Sequence, residues 1–286
     1  MKKHNYVFFF LWLSVSVIAY SQSSEVKPFA PELFLPELSG AVCGFSRDGN
    51  TIYFVREDTV ADKLFIYEAH RKGKKWVDIK LLSFSGLHND LGGRLTPNGE
   101  IFYFTSDRPG GTARQGDQWN IWVSNFVNGN WSEAQPLAAV NNKGNECCPV
   151  PLAEGSLIFS SDRGKLQEWW IYSWDGSTEN LLHNLTDTAA WQWPSTYVDS
   201  EQLMLMNSMK RKDSMGKDDV YVSFYRNNQW TTPINVGTPI NTSQYEDGAI
   251  LSPDKKYLIF NRHETGATPS QVMYTPWTPI IKRLKE

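Results

Sequence analysis

Cysteine is nearly missing from this chain. Its 286 residues hold three, Cys43, Cys147 and Cys148. An odd, low count does not supply a disulfide framework, and a chain of this length buries a core without one. The three are read as buried, inert thiols. No histidine or second cysteine pair stands at ligand spacing, so the sequence implies no metal and no cofactor. Long runs of helix formers are also missing. Past residue 21 there is no apolar run of the roughly 20 residues that a spanning helix takes, so the mature chain is expected to have no transmembrane segment. No basic stripe stands out of the kind that neutralises phosphates, which sets nucleic acid aside as a partner. His88 and His183 have no visible Ser or Cys companion, so no nucleophilic triad is legible and no catalytic residue is assigned.

Aromatic residues are plentiful instead: 12 Trp, 12 Tyr and 15 Phe. Such residues fill a pleated, half-buried surface well, and the composition leans to strands. The N-terminus stands apart. Lys2 and Lys3 precede an apolar run from Tyr6 to Ile18, and Ala19-Tyr20-Ser21 has the small-x-small form of a cleavage site. This pattern predicts a signal peptide over residues 1–21, cut near Ser21, and a periplasmic or secreted product. An uncleaved anchor is the alternative. Residues 22–286 are expected to form one domain, with 26 basic against 31 acidic residues and a net charge of −5.

That domain repeats itself. Ser46-Arg47-Asp48-Gly49, Thr96-Pro97-Asn98-Gly99, Leu152-Ala153-Glu154-Gly155, Val198-Asp199-Ser200-Glu201 and Ser252-Pro253-Asp254-Lys255 each precede a short apolar run, at spacings of 50, 56, 46 and 54 residues. Pro presets φ for a turn, and Asn-Gly or Asp-Gly accepts positive φ at little cost, so each tetrapeptide predicts a hairpin. Downstream come further strand-like runs at Leu64–Tyr67, Asn120–Val123, Trp170–Tyr172, Val220–Val222 and Val272–Tyr274. Three units then open another extended piece with Trp76, Trp131 or Trp230. Four antiparallel strands in about 50 residues is the signature of a propeller blade. The expected fold is an all-β, five-bladed β-propeller of four-stranded antiparallel blades. The fifth unit has only three clear strands. A raw edge needs cover, and Phe29 to Leu35 are expected to complete the last blade, so that the N-terminal strand closes the ring. The tail from Trp277 to Glu286 competes for that role.

The phrases "LSPDKKYLIFNR", "LTPNGEIFYFTSDRPGG" and "FSRDGNTIYFVR" resemble the WD-like propeller repeat of TolB-type periplasmic proteins. The likeness runs through nearly all of the mature chain, and unit four departs from it most. The leader ending "AYSQ" resembles those of envelope proteins from Bacteroidetes-like bacteria. The resemblance implies an interaction platform in the cell envelope whose partner is a protein or a glycan.

Candidate chemistry collects where loops enter the innermost strands, because equivalent positions of a ring converge on its axis. Asp90, Glu146, Glu246 and Asp247 lie there. Paired carboxylates at a channel mouth suit acid–base work on a glycoside or a cation. The plainer reading is that each receives backbone N–H groups within its own or the neighbouring blade. Trp191 and Trp193 break the repeat and are expected to offer a stacking surface for a ligand or to pack between blades. Ser106-Asp107-Arg108 and Ser161-Asp162-Arg163 recur, and are expected to satisfy loop backbone and each other. Ser46-Arg47-Asp48-Gly49 is not a sialidase Asp-box, since its Gly directly follows the Asp. The long loops Arg108–Gln118 and Met209–Asp219 are candidates for contacts. Two functions remain open: a non-catalytic module that binds protein or glycan, and a glycan-active enzyme that uses Glu146 and Glu246.

Overall fold

The computed structural model describes residues 25–110, 119–141, 144–152, 155–164, 168–264 and 269–286. The leader, its cleavage point and most of the Arg108–Gln118 loop lie outside the described residues. The chain opens with β1 (Lys27–Pro28) and then lays down five antiparallel sheets in order. Blade one holds β2 (Gly40–Phe45), β3 (Thr51–Asp58), β4 (Lys63–Lys72) and β5 (Lys75–Leu81). Blade two holds β6 (Asp90–Leu95), β7 (Ile101–Ser106) and β8 (Asn120–Val127), with β9 (Asn130–Trp131) and β10 (Gln135–Pro136) both paired to β8. Blade three holds β11 (Glu146–Pro151), β12 (Leu157–Ser161), β13 (Trp170–Trp174) and β14 (Glu179–Leu181). Blade four holds β15 (Trp191–Val198), β16 (Leu203–Met209) and β17 (Asp219–Arg226), with β18 (Gln229–Trp230) and β19 (Ile234–Asn235) on β17. Blade five holds β20 (Tyr245–Leu251), β21 (Tyr257–His263) and β22 (Gln271–Pro276), and β1 pairs with β22 as its fourth strand. The five-bladed propeller closed by the N-terminal strand is thus the observed fold.

The hairpins form for the reason the sequence suggests. In blades one, two and five the hydroxyl of Ser46, Thr96 or Ser252 donates to Asp48, Asn98 or Asp254 and accepts an N–H from Thr51, Ile101 or Tyr257. Gly49 and Gly99 take φ of +71° and +77° at the turn, and Lys255 takes the same left-handed place in the fifth blade.

The core consists of five apolar clusters, one per blade interface. The second strands read as continuous apolar runs because they face a neighbour on both sides: β12 is buried at every position. The repeated Trp is explained by the same geometry. Trp131 packs with Tyr53, Val55 and Ile66 of blade one, and Trp230 packs with Ile158 and Ile171 of blade three. Each Trp is thus carried on a fourth strand and buried against the preceding blade.

Closure differs from expectation in its register. The pairing residues are Lys27 and Pro28, and Phe29 adds one further N–H bond to Val272. Ala30 then turns at φ +43°, ahead of Pro31, so the segment leaves the sheet. Leu33 and Phe34 fold into the cluster shared by Ile250, Ile259 and Val272 of blade five and Val42, Ile52 and Phe54 of blade one. The C-terminal tail is a helix, α1 (Thr278–Lys285), and not a competing strand. Pro279 fits its first turn and Lys282, Arg283 and Lys285 its last, where cations face the negative end of the helix dipole. Trp277, Ile280 and Ile281 bury into the cluster between blades four and five.

Leu33 is fully buried at the seam. Leu33→Ala should lower stability by about 2–5 kcal/mol, read as a reduced denaturant midpoint. An unchanged midpoint would mean that this segment does not hold the ring shut.

Candidate functional site

Three of the expected site residues are tied up in structure. Asp90 is fully buried, accepts from Ser85 Oγ at 2.6 Å, and pairs with Arg108 at 2.6 Å. Glu146 is fully buried, accepts from Ser161 Oγ at 3.0 Å, and pairs with Arg163 at 3.1 Å. Glu246 accepts from Thr242 N and Oγ1 at 3.0 and 2.6 Å, and pairs with Arg262 at 3.0 Å. The three arginines also reach back to the incoming loop. Arg108 donates to Phe84 O, Arg163 to Val140 O and Arg262 to Ile240 O. Each guanidinium lies over an aromatic ring of its own blade, Phe104, Phe159 or Phe260, at 4.9–5.4 Å. In blade four Gln192 replaces the acid, and Arg211 still donates to Leu185 O and lies over Tyr221. The Ser-Asp-Arg segments also act structurally: Asp107 accepts from Asn89 N and Nδ2, and Asp162 from Asn145 N and Nδ2.

None of Asp90, Glu146 and Glu246 lines the axial cavity, which measures about 520 Å³. An acid–base pair of Glu146 and Glu246 across a common space is therefore not what the fold builds. Trp191 is also outside the cavity lining. Lys210 Nζ sits 3.6 Å from its ring centroid, and its ring stands at 79° to that of Trp193, so the two indoles form no flat surface. Trp193 and Asp247 do line the cavity.

The cavity is built from two rings of equivalent positions. The residue after the buried acid or its counterpart gives Ala41, Leu91, Cys147, Trp193 and Asp247. The residue just before the third strand, or in blade one the second residue of β4, gives Leu64, Trp119, Trp169, Asp218 and Ser270. The main chain explains the second ring: Trp119 O, Trp169 O and Asp218 O accept the N–H of Glu146, Gln192 and Glu246 of the next blade. A column down the aligned repeats, read one place ahead of the third strand in blades two to five, contains four members of this second ring. Sequence reasoning missed Trp119, Trp169 and Asp218 because it followed the loops into the first strand alone.

The lining is two-sided. Trp119, Trp169 and Leu91 make an apolar wall from blades two and three. Asp218, Asp247, Asn207 and Asn261 make a polar wall from blades four and five. Trp169 and Trp193 stand 6.4 Å apart at 42° where the walls meet. Asn261 Nδ2 donates to Asp247 at 2.7 Å, and His263 lies 3.7 Å from the same carboxylate. Asn207 Nδ2 donates to Asp218 Oδ2 at 2.8 Å, whereas Asp218 Oδ1 is buried with no partner among the described residues. Burial, with the charge of Asp247 next, pushes the Asp218 carboxyl well above its ordinary value. The floor of the cavity is Arg94. It reaches from β6 to Ser195 O of blade four at 2.5 Å and also donates to Gly93 O. Beyond it lies a second cavity of about 480 Å³ at the hairpin end, to which Arg94 also belongs.

Every first strand is bulged against its second strand, in blade three between Cys147 and Val150. At the bulge Gly92 and Gly248 take φ of +59° and +62°. Cys148 occupies the same place at φ +55°. The expectation of three buried thiols needs amendment here: Cys43 and Cys147 are buried, but Cys148 is partly exposed, and all three line the cavity.

No protein-family model matches the chain, and no curated protein matches it in sequence. Solved structures do. The TolB protein of Agrobacterium tumefaciens aligns over 83% of this chain and 77% of its own, at 15% identity and a TM-score of 0.51. An endo-arabinase from Bacteroides thetaiotaomicron aligns over 87% and 95%, at 13% identity and a TM-score of 0.53. The likeness is one of fold. A puromycin-hydrolyzing peptidase of Mycobacterium tuberculosis aligns over 85% of this chain but 37% of its own length, at 14% identity and a TM-score of 0.50. Among the described residues, no helix is long and apolar enough to cross a membrane.

Two outcomes are expected for the buried acids. Arg163→Met removes the cation that Glu146 and Glu179 share, together with the donor to Val140 O, and should cost about 3–5 kcal/mol. Adding Glu146→Gln should recover part of that loss in the same unfolding assay. Burial outweighs Arg163 and Ser161 and pushes Glu146 up to about 7 from 4.5. The folded state then holds this proton more tightly than the unfolded chain does, so stability falls as pH rises from 4.5 to about 7. Glu146→Gln should flatten that part of the pH–stability curve. An identical slope in the two proteins would count against the assignment.

Proposed function

We propose that this chain is an exported, non-catalytic propeller of the bacterial envelope that binds a glycan in its axial cavity. One observation carries the proposal: an aromatic wall faces a wall of carboxylates and amides across a single concave space. A pyranose or furanose ring has the same two-sidedness, with C–H faces that stack on indoles and hydroxyls that donate to carboxylates. In this reading Trp119, Trp169 and Trp193 take the ring, and Asp247, Asn207 and Asn261 take its hydroxyls. Asp218 belongs to the same wall, and its Oδ1 has no hydrogen-bond partner among the described residues. Export rests on the leader sequence, and the TolB-like fold is in keeping with an envelope location.

A second reading has its own observation. Asp218, disposed to keep its proton, shares the cavity with Asp247. Glycoside hydrolysis uses a pair of carboxyl groups, one of them disposed to hold a proton. An endo-arabinase shares the fold. Turnover of a polysaccharide by the purified protein, abolished in both Asp218→Asn and Asp247→Asn, would establish it in place of simple binding.

For the binding function the test is calorimetry against a panel of plant and bacterial oligosaccharides. Trp193→Ala should weaken the best ligand roughly tenfold or more, since lost stacking of about 1 kcal/mol adds to lost contact area. Trp191→Ala, outside the cavity, should leave affinity within about twofold. Equal effects from the two substitutions, or no oligosaccharide bound at all, would remove the axial cavity as the site.

A further inference from the structure

The bulge of β11 places two cysteines side by side in the cavity wall. Three observations act on this pair together. First, Cys147 and Cys148 are consecutive residues at the bulge, and both line the same cavity. Second, Cys148 is held at φ +55°, at a position where the second and fifth blades use glycine. A side chain in that region is strained and persists only where its surroundings enforce it. Third, the neighbouring blade supplies that enforcement. Cys148 N donates to Thr105 Oγ1 at 3.0 Å, and a Cβ added to Gly92 would lie 3.6 Å from Cys148 Cα. Blade two thus holds the backbone of the bulge in place between the two cysteines and Gly92.

We propose that Cys147 and Cys148 form a vicinal disulfide, and that this bond is the resting state of the cavity wall in an oxidising compartment. The reaction is thiol–disulfide exchange with a disulfide oxidant, either a small disulfide or an oxidised dithiol protein. Cys148, the partly exposed member, attacks first as its thiolate and forms a mixed disulfide, releasing one thiol of the oxidant. Cys147 then loses its proton and attacks the Cys148 sulfur, releasing the second. Two protein thiols and one oxidant disulfide become one protein disulfide and two oxidant thiols. Two electrons pass to the oxidant. Desolvation of Cys147 pushes its thiol well above the usual range, so closure is the slow step. Adjacent residues stand about 3.8 Å apart at Cα, closer than the roughly 4.4–6.8 Å of ordinary bridges. A bridge across so short a span is strained, and it opens again under mild reductant. Cys43 lies in the same cavity but is buried on blade one, and it stays a thiol.

The experiment uses the full mature chain, equilibrated in defined ratios of oxidised and reduced glutathione, acid-quenched, denatured, alkylated and digested. At oxidising ratios the peptide carrying Cys147 and Cys148 should be lighter by two hydrogens and take no alkyl group, while Cys43 is alkylated in full. Reduction should restore two alkylation sites on that peptide. Cys43→Ser should leave the result unchanged. Alkylation of both Cys147 and Cys148 at every ratio would overturn the proposal, as would a linkage from Cys43 to either of them. The readout on the unmodified protein does not depend on whether Cys148→Ser folds, nor on whether any glycan binds.

Discussion

The fold depends on one repeated interaction: a half-buried arginine at the end of a blade's second strand, lying over its own blade's aromatic ring and donating to the loop that arrives from the blade before. Arg108, Arg163, Arg211 and Arg262 all do this. In three blades the charge is met by a fully buried acid on the first strand, which ties three pieces of chain to a single guanidinium. A blade cannot bury both faces alone, so its stability comes from its neighbours. Apolar clusters supply the attraction at each interface, but they are non-directional. The arginine, with its fixed fork of donors, sets how far the incoming loop travels before the first strand begins. The acids at the head of that strand hold the scaffold in place, which takes them away from the chemistry their convergence suggests.

Much of this was legible in the residues. The Ser/Thr-x-Asp/Asn turns carry their own hydrogen bonds, so each hairpin is a local event that a short stretch of sequence specifies. Blade number and closure follow from counting those turns and noting a missing fourth strand. The site was legible only in part. Asp247 and Trp193 were found because they sit at the head of a first strand. Asp90, Glu146 and Glu246 looked equally eligible, since sequence position gives convergence but not the direction of a side chain on a strand. One residue's difference, Glu246 against Asp247, separates a buried salt bridge from the cavity wall, because successive side chains alternate faces. Asp218 and Trp169 were hidden for another reason: they reach the axis from the third strand, through a main-chain bond to the next blade.

The cavity owes its character to departures from the repeat. A perfectly repeated ring would line its axis with five copies of one residue. Here one ring of positions runs Ala41, Leu91, Cys147, Trp193, Asp247, and the other Leu64, Trp119, Trp169, Asp218, Ser270. In these two rings carboxyl groups enter on blades four and five alone, Asp218 in one and Asp247 in the other. The asymmetry is a property of the ring and of no single blade.

Arg94 gives this space its remaining property. Its guanidinium crosses from blade two to blade four and stands between the upper and lower cavities. The axial space is therefore partitioned by a side chain that is itself tied to main chain on two blades, at Gly93 of blade two and Ser195 of blade four, so the two compartments share one wall.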